Sequence, residues 1–216
     1  GVLPKASFGA FVIEERAAFP FMLLQTAEGT VLNSLPYFGS HGDLLLTPKA
    51  EPKDVETIAR SFETLCRDES VDAANIVSHP LSPAPDRLTP FNLLEWDQRI
   101  GQISMLQPAF SREEAILQTL ADCSGKTRNL VRKGLRAGFS IDVSDAETDW
   151  QHLARLHAQG IEALGGTPKS LFEFLALRTT LGRSCQLYVA RRDQRVCGAL
   201  LVLRFREWAE YFTPAS

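Results

Sequence analysis

The chain has 216 residues, 44% of them hydrophobic and 23% charged, with a formal net charge of −3. That length allows one large domain or two small ones, and the composition excludes a disordered chain, a collagen-like repeat and a wholly basic nucleic-acid binder. The longest apolar runs, around Phe21 and Leu201, fall well short of the roughly 20 residues that a bilayer-spanning helix needs. No basic stretch with an apolar core and cleavage site opens the chain, so a cytoplasmic location is expected. Cys66, Cys123, Cys185 and Cys197 are scattered without a C-x-x-C pair. That pattern predicts four reduced thiols and argues against a zinc site, a redox motif or a disulfide scaffold.

In chain order, Phe8 to Glu15 and Phe19 to Thr26 are rich in Phe, Val, Ile and Leu. With Val31 to Leu35 and Leu44 to Thr47 they predict a meander of short strands. From Pro52, apolar residues recur at Val55, Ile58, Ala59, Phe62, Leu65 and Cys66, the period of an amphipathic helix with proline in its first turn. Ala73 to Ser78 reads as a buried strand. The proline-rich run from His79 to Pro90 reads as an irregular loop. A strand is predicted at Arg99 to Leu106, then helices at Ser111 to Ala121, with Ser111 and Glu114 as cap residues, and at Gly125 to Ala137.

Phe139 to Val143 predicts a strand, and Leu153, Leu156, Ile161 and Leu164 mark a helix over Asp149 to Leu164 that Gly165-Gly166 ends. Thr167-Pro168 supplies an N-cap and first-turn proline for the next helix, to Leu181. Strands at Gln186 to Arg191, Val196 to Phe205 and Trp208 to Thr213, split by short polar turns, predict an antiparallel meander.

Two segments carry candidate chemistry. Gly39-Ser40-His41-Gly42 is first of all a turn, since glycine permits positive φ. Read functionally, Tyr37, Ser40, His41 and Asp43 line an acceptor pocket, with backbone N–H groups near Gly39 and Gly42 open to an anionic oxygen. Ser40 and His41 do not form a catalytic pair, because adjacent side chains diverge. Arg128, Arg132 and Arg136 fall four residues apart and share one helix face, with Lys126 and Lys133 at its edges. This is either a solvated charged face or a local phosphate site, for which the planar guanidinium fork is suited. His157 reads as a core histidine, and His79 and His152 are given no role.

The strand, helix, helix, meander order of the second half resembles the N-acetyltransferase (GNAT) architecture. More specific are SLPYFGSHGD at Ser34 to Asp43, TRNLVRKGLRAGF at Thr127 to Phe139, LGGTPKS at Leu164 to Ser170 and the final AEYFTPAS. These segments are similar to the FemAB-type branch of that superfamily, in which two such domains are joined. The resemblance implies an α/β (α+β) fold of GNAT-like, largely antiparallel sheets flanked by helices. A first unit is placed at 1–124, and the basic helix with the start of a second, incomplete unit at 125–216. It implies transfer of an acyl or aminoacyl group from acyl-CoA or aminoacyl-tRNA to an amine on a phosphate-bearing cell-wall or polysaccharide precursor, with no metal. Tyr211 is then the acid that protonates the departing group and Glu210 a base. Arg128, Arg132, Lys133 and Arg136 hold the substrate phosphate, or that of a transfer RNA. A non-catalytic module binding a phosphorylated glycan or partner protein is the alternative. The chain opens without Met and stops on a strand-like run, so it is expected to be a piece of a longer protein, prone to self-association and without turnover alone.

Overall fold

The computed structural model describes residues 5–34, 41–81, 85–94, 97–98 and 100–216. The chain divides into two compact units, Gly1–Met105 and Leu106–Ser216. The helix at 112–122 therefore groups with the second unit, whereas the sequence reading placed it in the first.

In the first unit, β1 (Lys5–Ile13) and β2 (Ala17–Thr26) form an antiparallel hairpin, and β3 (Gly29–Asn33) pairs antiparallel with the far end of β2. The β2–β3 turn needs Gly29, whose φ is 142°, and a Cβ there would stand 2.4 Å from Asp72 Oδ2. The short strand β4 (Leu45–Leu46) pairs with Ala17 and Ala18 at the start of β2. Along one edge, then, β2 changes partner from β4 to β3. Pro20, with no N–H to donate, stands between the two paired stretches.

Helix α1 (Pro52–Asp68) crosses over to β5 (Ala73–Asn75), which lies parallel to β3. At its start, Glu51 and Asp54 cap each other reciprocally. The predicted face is buried: Val55, Ile58, Ala59 and Phe62 pack with Phe19 and Leu32 of the sheet. Phe91, at the end of a 3₁₀ helix at Pro85–Phe91, completes an aromatic cluster with ring centroids 5.3 Å from Phe62 and 5.5 Å from Phe19.

Helices α2 (Arg112–Asp122) and α3 (Gly125–Arg136) follow, capped by Ser111 and Ser124, whose hydroxyls accept from the N–H groups of Glu114 and Thr127. Neither helix has a buried residue. Beyond them β6 (Ser140–Val143), β7 (Cys185–Arg192), β8 (Arg195–Phe205) and β9 (Trp208–Ala215) form one antiparallel sheet in that order. Helices α4 (Glu147–Ala163) and α5 (Leu171–Leu181) bury Trp150, Leu153 and Phe174 against Cys185, Leu187, Val189 and Leu201. The buried set on β7 is every second residue, as a strand covered on one face requires. No helix among the described residues is long and apolar enough to cross a membrane.

The α/β class and the antiparallel meander stand as expected, and four local readings do not. Of the strand predicted at Arg99 to Leu106, Arg99 lies outside the described residues, and 100–106 form no strand and are all exposed, with no buried face to hold one. The strand predicted at Ala73 to Ser78 is only three residues long, and it is exposed rather than buried because β5 pairs on one side alone. The run read as an irregular loop contains the 3₁₀ helix. The N-cap of α5 is Ser170, not Thr167: Ser170 and Glu173 form a capping box.

Candidate functional site

The change of partner along β2 opens a cleft of about 940 Å³ in the first unit. Its walls are apolar, with Val12 and Ile13 from β1 and Leu44, Leu45 and Leu46 from the segment around β4, and one end carries His41, His79, Asp43 and Arg87. The buried Ser34 at the end of β3 fixes that end in place. Its hydroxyl donates to the Gly42 carbonyl at 2.7 Å and accepts from the Val77 N–H at 3.1 Å. The Gly42 N–H donates to the Val77 carbonyl at 2.8 Å. This N–H, expected to be open to an anionic oxygen, is therefore consumed in a bridge that ties the cleft floor to the sheet.

Asp43 is only 6% exposed. One of its carboxylate oxygens accepts from the Leu44 N–H at 2.6 Å and the other is ion-paired with Arg87 Nη2. The carboxylate thus orients Arg87, which itself remains partly accessible on the cleft wall. His41 and His79 meet edge to face with ring centroids 4.3 Å apart. His79 Nδ1 accepts from the Leu81 N–H at 3.1 Å, which leaves the proton of a neutral ring on Nε2. Two imidazoles and a guanidinium beside aliphatic walls can bind a molecule with one anionic or hydrogen-bonding end and one apolar stretch. His41 and Asp43, both expected in an acceptor pocket, line this cleft. Tyr37 and Ser40 lie outside the described residues. Arg87 and His79 were missed, although a cation and an imidazole held in a proline-stiffened segment were the available signal.

On α3, Arg128 has a different task from the one expected. Its Nη1 donates to the carbonyls of Ala121 at 3.0 Å and Cys123 at 2.7 Å, capping the C-terminal end of α2. Arg132, Lys133 and Arg136 are exposed and make no ion pair among the described residues. On β9, Glu210 pairs with Leu203 and Tyr211 with Val202. Neighbours on a strand leave it on opposite faces, so these two side chains do not converge on one reacting atom. Tyr211 is 68% exposed, on the face away from Leu201 and Leu203.

Two titratable groups of the second unit, Cys185 and His157, are buried in its interior. Burial pushes the Cys185 thiol up to about 11, against the pull of Arg178, so it is not a thiolate nucleophile near neutral pH. His157 is buried with its ring edge-on to Phe174, centroids 5.4 Å apart. Burial, and then the Lys169 charge, hold its pKa below the ordinary imidazole value. The unfolded chain therefore binds a proton that the folded chain resists. The stability this group contributes is fully present above about pH 6.5 and is lost as pH falls below it. In thermal unfolding between pH 7.5 and 5, the His157→Gln variant is expected to lose less stability on acidification than the parent chain.

No family model matches the sequence, and no curated protein matches it in sequence. The crystal structure of FemX superposes on 88% of this chain with a TM-score of 0.54 at 13% identity, and the chain spans 49% of FemX. At that identity the likeness is one of fold: the mixed α/β arrangement of antiparallel sheets flanked by helices is shared with FemX.

Proposed function

We propose that this chain carries the acceptor side of an acyl or aminoacyl transferase of FemAB type, acting on an amine of a phosphate-bearing cell-wall or polysaccharide precursor. The observation that carries this reading is the cleft joining His41, His79 and the Arg87–Asp43 pair to apolar walls, in a fold shared with FemX. The segment Ser34 to Asp43, read in the sequence as resembling FemAB-type proteins, supplies the cleft's His41 and Asp43. In the reaction, the amine lone pair attacks the carbonyl carbon of a thioester or aminoacyl ester. The tetrahedral oxyanion then collapses to an amide as the C–S or C–O bond breaks, and the leaving group departs as a thiol or alcohol, the proton it gains balancing the one that the attacking nitrogen gives up. Arg87 and the imidazoles hold the acceptor's anionic end. The resemblance gives Tyr211 the role of acid for the leaving group, which a Tyr211→Phe variant tests separately from the cleft, and Glu210, on the other face of the strand, is not assigned with it.

The test is titration of a nucleotide-diphosphate-linked sugar peptide, a lipid-linked analogue and aminoacyl-tRNA against the parent chain and His41→Ala. Loss of one hydrogen bond to a charged group predicts acceptor affinity lower by about tenfold or more. Equal affinity of both proteins for every ligand, with folding unchanged, would remove the cleft from the reaction. Weaker acceptor binding in His41→Ala, together with no transfer by the parent protein, would favour the non-catalytic binding module, and an unchanged rate of transfer in Tyr211→Phe would remove Tyr211 from the reaction.

A further inference from the structure

Helix α3 combines two properties that its role in any phosphate site does not require. Around its axis Leu130, Val131 and Leu135 fall on one arc, together with the small Thr127 and Gly134, while the five cations Lys126, Arg128, Arg132, Lys133 and Arg136 occupy the other. The apolar arc is uncovered: Leu130 is 61%, Val131 39% and Leu135 64% exposed. The helix contains no acidic residue, in a chain whose net charge is −3.

We infer that α3 is an interfacial helix that lies on an anionic lipid surface, its aliphatic arc among the upper acyl chains and its Lys and Arg side chains at the headgroups. The charge pattern selects this occupant over the others. A second copy of α3 packed on the same arc would cover the aliphatic side chains but leave the cations, which lie on the other arc, without any counter-charge. Nucleic acid would satisfy the cations but gains nothing from three exposed aliphatic side chains, and α3 has no aromatic residue on which a base could stack. An anionic bilayer satisfies both halves, and a helix of 12 residues, about 18 Å long, is long enough to lie in the interface but too short to span it. The Arg128 bond to the end of α2 fixes the approach of α3 from the C-terminal end of its neighbour, leaving Arg132, Lys133 and Arg136 for headgroups.

The experiment is co-sedimentation of the 216-residue chain with vesicles of pure phosphatidylcholine, and of phosphatidylcholine with 30 mol% phosphatidylglycerol (about 30%, a composition chosen for cytoplasmic-leaflet surface charge), at low and at raised salt. Binding is expected only to the anionic vesicles, weakening as salt screens the charges. Removing cations through Arg132→Gln and Arg136→Gln should lower affinity by about fivefold each. Leu130→Ser and Leu135→Ser should lower it by about tenfold each, although these exposed residues leave the circular dichroism melt unchanged. Fluorescence of Leu135→Trp should shift to the blue on anionic vesicles and not on neutral ones. Failure to bind the anionic vesicles at low salt overturns the inference, as does binding indifferent to the two leucine changes. So does capture of transfer RNA without vesicles, or a self-associated chain that Leu130→Ser disperses. Because no variant touches the cleft, a failure here leaves the His41→Ala titration to decide the transferase reading on its own.

Discussion

Replacing Asp149 by alanine is expected to destabilise the second unit by about 3–5 kcal/mol, the usual cost of stripping one partner from a buried ion pair. Asp149 stands in the first turn of α4 with its side chain 5% exposed. Its Oδ2 receives Arg191 Nη2 at 2.5 Å and the Ser144 hydroxyl. Arg191 is the last but one residue of β7, beside a shift in the β7–β8 register, so the pair joins the start of the helix to the end of one strand of the sheet it covers. Taking Asp149 away leaves a guanidinium whose Nη1 is already buried without a partner. The double change Asp149→Leu with Arg191→Met, which removes both charges and keeps the volume, should recover most of the loss. Urea unfolding followed by circular dichroism separates the cases. A single variant within about 1 kcal/mol of the parent would show that the pair is solvated in the folded chain.

A loss of similar size, about 3–5 kcal/mol, is expected for Phe19→Ala in the first unit. Phe19 is fully buried, and its ring meets Phe62 of α1 edge-on at 5.7 Å and Phe91 of the 3₁₀ helix at 5.5 Å. The cavity would open between three elements that cannot all close on it. The effect should reach the cleft, since the 3₁₀ helix that Phe91 anchors also carries Arg87. Acceptor affinity should therefore fall in Phe19→Ala even though Phe19 is not a cleft residue, whereas Phe19→Leu should retain most of both. Denaturant titration and ligand titration on the same preparations test the two parts of this expectation. A destabilised Phe19→Ala with undiminished affinity would uncouple the aromatic cluster from Arg87.

The regular elements were legible because each buries a periodic face. Val55, Ile58, Ala59 and Phe62 appear in the sequence as a helix period and in the fold as the buried side of α1. The alternation from Cys185 onward appears as β7, β8 and β9. The site was legible only in part. His41 and Asp43 could be found because they sit in a glycine-flanked segment, but their partners His79 and Arg87 come from a stretch 38 or more residues away whose pairing no local period encodes (~38, a separation long enough that only tertiary packing joins the ends). Pro20 was read as one more strand residue, yet it marks the place where β2 changes partner and the cleft begins. Arg128 matched its neighbours at helical spacing, and only the position of the preceding helix end shows that it serves as a cap.

The Ser34 hydroxyl bears on which insertions this protein tolerates. Because Ser34 holds Gly42 and Val77 directly, the cleft floor takes its position from the end of β3 and not from the length of chain joining residues 34 and 41. A changed number of residues between Ser34 and His41 should leave His41 and Asp43 in place, at a modest entropic cost. A one-residue change between Asn75 and Val77 has no such buffer: it would shift Val77 off the hydroxyl and carry the His79 ring away from His41. Sequence length can therefore drift in the first of these connections and is held fixed in the second.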